Sequence, residues 1–209
     1  VKIGEYYDGH TARDWVPVEK DYGKPQPYPP KTDSWADNAT SLWVGIASFR
    51  DARCGKTLFN MYSKASHPER IFAGVVQQNE PGDVGCLERY CELMTQTGTA
   101  AEAAADPCPY KSNVRVLAVD AAEAAGPCWG RHLQYFTLRD EEFCMQTDSH
   151  MDYADGWDIA MMREWAAAGN EYAFLSTYVQ GMDDLGKNIN GHHEVSHLCE
   201  LLFTSQARM

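Results

Sequence analysis

Basic residues are scarce in this chain: 18 Lys and Arg stand against 30 Asp and Glu in 209 residues, a net charge of −12. No cationic stripe interrupts that acidity. Binding a phosphate backbone needs clustered Lys and Arg, so the charge argues against a nucleic-acid partner. Long apolar runs are lacking too; none approaches the roughly 20 residues of a membrane span. No signal peptide is visible, although the chain starts at Val1 and what precedes it stays open. No tight CxxC pair marks a zinc site, and no internal repeat is present. What remains is a composition with 44% hydrophobic residues, six Trp and seven Phe, enough for one sizeable globular domain.

Seven cysteines make an odd number. Cys54, Cys128 and Cys144 sit in apolar or helical contexts and read as core thiols. Cys86, Cys91 and Cys108 lie in a loop-like region, where a disulfide is open to them if the chain passes through the secretory pathway.

Residues 1–40 are polar and rich in Pro, Tyr and Asp. The run Lys24-Pro25-Gln26-Pro27-Tyr28-Pro29-Pro30 excludes helix and central strand, which predicts an extended lead-in, a stem or a linker. Leu42 to Ala47 is a continuous apolar run of strand length, as in strands buried on both faces. Leu58, Met61, Tyr62 and Ala65 recur at helical spacing and predict a helix over roughly 53–66, stopped by His67-Pro68. Ile71 to Val76 is a second strand, completing a βαβ unit. Residues 79–112 break the pattern and predict an insertion with one short helix. Val114 to Val119 is a third strand. Gly126-Pro127 opens a helix with Trp129, Leu133 and Phe136 as its apolar stripe. Phe143 to Met145 begins a central strand, Gly156 starts a helix whose Trp157, Met161 and Trp165 face one way, and Tyr172 to Tyr178 is a fifth strand. The alternation predicts an α/β domain over 41–209, with a mainly parallel sheet and helices on both faces.

The stretch that carries chemistry is Gln146-Thr147-Asp148-Ser149-His150. On a strand, residues two apart point to the same side, so Asp148 and His150 are expected to offer a carboxylate oxygen and an imidazole nitrogen to one ion. Mixed oxygen and nitrogen ligation suits Mn²⁺ or a similar divalent metal. In an α/β sheet the site lies past the carboxyl ends of the strands. The loops after the first, third and fourth strands would then share a crevice holding Ser48, Arg50, Asp148 and His150, with Arg131 in reach. Taken alone, the triplet reads as a surface turn.

Further blocks, in order, add to that triplet: Ile46-Ala47-Ser48-Phe49-Arg50-Asp51, Pro68 to Gln78, Val114-Arg115-Val116, Glu123 to Leu133, Gln146 to Met151, Gly156-Trp157-Asp158 and Leu175-Ser176-Thr177-Tyr178. Over about residues 42–203 the chain resembles the N-acetylglucosaminyltransferases typified by the enzyme that modifies hydroxyproline on Skp1. More distantly, it is similar to the polypeptide N-acetylgalactosaminyltransferases. The resemblance implies a GT-A glycosyltransferase fold using a UDP-sugar such as UDP-GlcNAc, a divalent metal and retaining transfer to a protein hydroxyl. By the same resemblance Asp148 and His150 match the Asp-x-His metal site, Ser48, Arg50 and Asp51 the nucleotide loop, and Arg131 an Arg facing the diphosphate. Those relatives are cytoplasmic, whereas a stem-like start points to the secretory pathway. The chain departs from the family at Gly130, where Ala is frequent, and at Val179-Gln180-Gly181, where Pro-Pro-Gly is usual. It also stops where the family has a further segment that supplies a third metal ligand, so a partial domain that binds UDP–Mn²⁺ weakly is expected.

Competing readings attach to the same residues. His193-Glu194-Val195-Ser196-His197 fits the short zinc-protease signature, a pattern that also arises by chance. Its extended form needs Gly at 200 and His at 203, where Glu200 and Phe203 stand. Arg50 and Asp51 read equally as a helix cap or surface pair, and Arg131 as a solvated helix residue. A non-catalytic, transferase-like nucleotide-sugar-binding module is the alternative to an enzyme.

Overall fold

The computed structural model describes residues 5–7, 15–17, 40–97, 107–170, 173–177 and 179. Within the lead-in, Glu5–Tyr7 (β1) and Trp15–Pro17 (β2) form a short antiparallel ladder where extended chain was expected. The body of the protein is a sheet of four parallel strands: Leu42–Phe49 (β3), Ile71–Asn79 (β4), Val114–Asp120 (β5) and Phe143–Asp148 (β6), in the order β5-β4-β3-β6. β3 and β4 are central and buried along most of their length, which is why they read as unbroken apolar runs.

Two strand expectations are corrected. β6, expected to be central, is an edge of the described sheet, and its alternating half-buried pattern reflects that position. Residues 173–177, expected in a fifth strand, join no ladder, and Phe174 is 93% exposed. β4 also outlasts its apolar run by three residues. Its polar end is useful to the fold: the Gln77 Oε1 accepts from the Cys86 backbone N at 2.6 Å, and the Gln78 Nε2 donates to the Ser48 carbonyl at 3.2 Å.

Helices cover both faces. Cys54–Lys64 (α1) buries Leu58, Met61 and Tyr62 against the Val44, Ile46, Ala73 and Val75 face. The expected short helix of the insertion is a full three turns, Cys86–Thr97 (α2), which packs on α1 through Tyr90 and Met94. Disulfides Cys54–Cys86 and Cys91–Cys108 pin α2 at two points. Cys54 is therefore not a free core thiol, while Cys128 and Cys144 are exposed free thiols rather than core ones. Trp157–Ala167 (α4) lies beside α1, where the Trp157 indole donates to the Met61 carbonyl and Trp165 meets Phe143 edge-on. Its buried positions are Trp157, Asp158 and Met162, whereas Met161 is turned to solvent.

Pro127–Gln134 (α3) covers the opposite face. Its buried side is Gly130 and Gln134, continued by Thr137, and not the expected stripe, since Phe136 is 73% exposed. The sheet explains the difference. Gly45 and Gly74 pair across β3 and β4, and the Trp43 indole lies over both. The indole N–H donates to Thr137 Oγ1 at 3.1 Å, so the seat beneath α3 is part polar.

Candidate functional site

From β3 the chain runs to β4 and β5 on one side, then returns to lay β6 on the other side of β3. The reversal of direction falls between β3 and β6. Ligands of open α/β sheets bind outside the carboxyl ends of strands at such a point. The residues there are Arg50 and Asp51 after β3, and Ser149 and His150 after β6.

Arg50 turns the corner with a left-handed φ of 48°. The side chains that follow part company. Arg50 points to the loop after β4, with Nε 2.9 Å from Asp83 Oδ2 and Nη1 2.8 Å from Glu80 Oε1. Asp51 points to the turn after β6. Its Oδ2 accepts from Ser149 Oγ at 2.6 Å and faces His150 Nδ1 at 2.8 Å, and its Oδ1 accepts from the Arg53 backbone N at 2.9 Å. Partial burial pushes the Asp51 carboxyl up, but the donors from Ser149, Arg53 and His150 outweigh it and hold the group below its ordinary value.

β6 ends at Asp148, so His150 belongs to a turn and the strand alternation expected to align the pair does not reach it. Asp148 is instead engaged by Arg131 of α3, with Nη2 3.2 Å from Oδ1. The structure thus brings Asp148 and Arg131 together, and separately His150 and Asp51. Arg50 is committed elsewhere. Ser48 is buried on the face of β3 opposite the one Ala47 shares with Asp148, and its hydroxyl makes no hydrogen bond among the described residues. The segment after β5, expected beside the site, leaves from the far edge of the sheet and contributes only through α3.

Sequence reasoning missed what holds the turn. Thr57, Asn60 and Lys64 form one stripe of α1 at helical spacing. Thr57 Oγ1 donates to the Ser149 carbonyl at 2.8 Å and accepts from Met151 N at 3.0 Å. Asn60 Nδ2 donates to Asp152 Oδ1, and its Oδ1 accepts from Tyr153 N. Lys64 Nζ donates to the Tyr153 carbonyl at 2.8 Å. The spacing was legible, but a polar stripe on an amphipathic helix ordinarily faces water. Here it grips residues 149–153.

Among the described residues no group of three or more His, Cys, Asp and Glu is arranged to hold a metal ion. The available donors are the Asp148 carboxylate and the His150 imidazole. The His193–His197 motif lies outside the described residues. A cleft of about 370 Å³, bordered by Ser41, Arg70, Arg115 and Glu141, opens at the amino ends of the strands and is remote from this turn.

Residues 41–209 match the family model described as Glycosyltransferase (GlcNAc). No curated protein and no solved structure gives a significant match to the chain. The parallel, helix-flanked sheet is in keeping with a GT-A fold.

Proposed function

The chain belongs to the GlcNAc glycosyltransferase family, and from that premise we propose that it transfers N-acetylglucosamine from UDP-GlcNAc to a hydroxyl group of a protein. The family match over residues 41–209 carries the proposal. The resemblance to hydroxyproline-modifying enzymes supplies its finer parts, a retaining transfer and a hydroxyproline acceptor. Two disulfides favour an oxidising compartment, so a hydroxyproline of a secreted or surface protein fits both observations.

The donor set suits Mn²⁺. A carboxylate oxygen and an imidazole nitrogen are acceptable ligands, and the hydrogen bond at His150 Nδ1 leaves Nε2 as the donor. Asp148 and His150 would hold the ion, with phosphate oxygens and water completing its shell. Bound there, a divalent metal would neutralise charge on the departing diphosphate. Arg131, already beside Asp148, supplies a second positive group to the same diphosphate. Arg50, held by Asp83 and Glu80, is assigned to clasping the loops after β3 and β4 rather than to phosphate.

The test is UDP release from UDP-GlcNAc, together with calorimetry of UDP binding with and without Mn²⁺. Wild type is expected to bind UDP more tightly with Mn²⁺. Asp148→Ala and His150→Ala should each lose that gain. If both variants bind UDP–Mn²⁺ as wild type does, the metal site is elsewhere. Metal-dependent UDP binding with no sugar release would favour the non-catalytic module.

A further inference from the structure

Asp51 was matched to nucleotide binding, yet its carboxylate spends its hydrogen bonds on the protein. A carboxylate offers about four acceptor sites. Here three are taken, by the Arg53 backbone N, Ser149 Oγ and His150 Nδ1. Two of those donors lie 98 and 99 positions away along the chain. Asp51 is thus the side-chain bridge between the loop after β3 and the turn after β6. The neighbouring Arg50 leaves in another direction and takes no part in this bridge.

We propose that Asp51 is the positioning residue of the site: by accepting the Nδ1 proton of His150 it fixes the ring and leaves Nε2 as the outward-facing lone pair. The metal half of the proposal rests on the function proposed above; the tautomer half does not. An ionised carboxylate can only accept, so a neutral imidazole beside it must carry its proton on Nδ1. Ligating imidazoles are held in this way, through the nitrogen that does not touch the ion. The His150 side chain is 55% exposed and on a turn, where a free ring would sample several rotamers. Buried Ser149 shares the same oxygen and fixes where that oxygen sits. Thr57 secures the backbone on both sides of His150. With backbone and Nδ1 both fixed, the remaining freedom of the ring is small.

The experiment uses the full chain and reads the ring directly. Long-range ¹⁵N–¹H correlation, recorded where the His150 signals show one protonated and one bare ring nitrogen, reports which nitrogen carries the proton. His150 is assigned by the signal lost in His150→Gln. Wild type should show the Nδ1–H form; an Nε2–H form in wild type overturns the proposal without any variant. Asp51→Asn places an amide where the acceptor was and should move His150 toward Nε2–H. Affinity for Mn²⁺ alone should then fall about 10- to 100-fold, the loss typical when the outer partner of a ligating His is removed. An unchanged tautomer in Asp51→Asn also overturns the proposal, and weaker UDP binding without metal would return Asp51 to the nucleotide. In a His150→Ala background, Asp51→Asn should have no further effect on Mn²⁺; an equal further loss means that Asp51 touches the ion itself. If His150→Ala binds Mn²⁺ as wild type does while Asp51→Asn still shifts the tautomer, the metal reading fails and the positioning role stands.

Discussion

Asp158 has no exposure, and its carboxyl oxygens are met by donors. Its oxygens accept from Ser66 N at 2.8 Å and His67 N at 3.0 Å, and the buried Arg70 guanidinium lies 3.5 Å away. In the sequence it belonged to a block matched to transferases; in the structure it ties α4 to the end of α1. Removing one partner of a buried pair leaves the other charge poorly compensated, so Asp158→Ala should cost about 3–5 kcal/mol in urea unfolding. Glu141 makes a half-buried pair, 2.6 Å from Arg115 Nη2. Burial pushes the Glu141 carboxyl up, but Arg115 and the Arg139 backbone N bring it below its ordinary value. Its ionised form therefore stabilises the fold above about pH 4, the ordinary range for Glu, and that contribution is lost as pH falls through the lowered folded value. The gap in unfolding midpoint between wild type and Glu141→Gln should be full at pH 7 and close on acidification below about pH 4. At this scale type and spacing drew notice to Asp148 and His150 without excluding a surface turn, and the resemblance was needed to assign them and Arg131 to a site. The division of partners between Arg131 and Asp51 depends on where β6 ends, and no spacing rule states that.

At the scale of elements, strands β3 and β4 were readable because burial makes their apolar runs continuous, whereas β5, an edge with alternating burial, was readable from its Val-rich composition. The face of α3 was not. Its stripe was chosen by hydrophobicity, but the sheet under it has two glycines and an indole, which seat small and polar groups. A Cβ added at Gly74 would lie 1.9 Å from Thr137 Oγ1 and 2.5 Å from Trp43 Nε1. Thr137 is held by its bond to the Gln134 carbonyl at 2.6 Å and cannot swing away freely. Gly74→Ala should therefore destabilise by about 1–3 kcal/mol, as overpacking does, and break the Trp43–Thr137 hydrogen bond. A shift in Trp fluorescence alongside the denaturation midpoint checks both. The Cys54–Cys86 bridge escaped the sequence reading because the helical context of Cys54 resembles that of any core thiol. The double variant Cys54→Ala/Cys86→Ala should lose about 2–5 kcal/mol, and dithiothreitol should lower the melting temperature of wild type more than that of this variant.

For the molecule as a whole, the alternation of elements predicted a parallel sheet, and all three of its ladders are parallel. The position of β6 was not predictable, since alternation gives the order of elements along the chain but not the order across the sheet. That position has a consequence for time. The two disulfides among the described residues lie within residues 54–108, so α1, α2 and the strand between them are held covalently, while β6 and α4 lie outside these covalent loops. Leu42 pairs with Phe143, about a hundred residues on, which is a pairing of high contact order. On a ribosome the β3–β4 ladder can zip up long before β6 is synthesised, and in the described sheet β6, an edge like β5, has one neighbour to release. Deuterium exchange should therefore find the β6 amides and the His150 turn opening ahead of β3 and β4. The turn that bears His150 would thus form after β3 and β4 have paired, and let go before them.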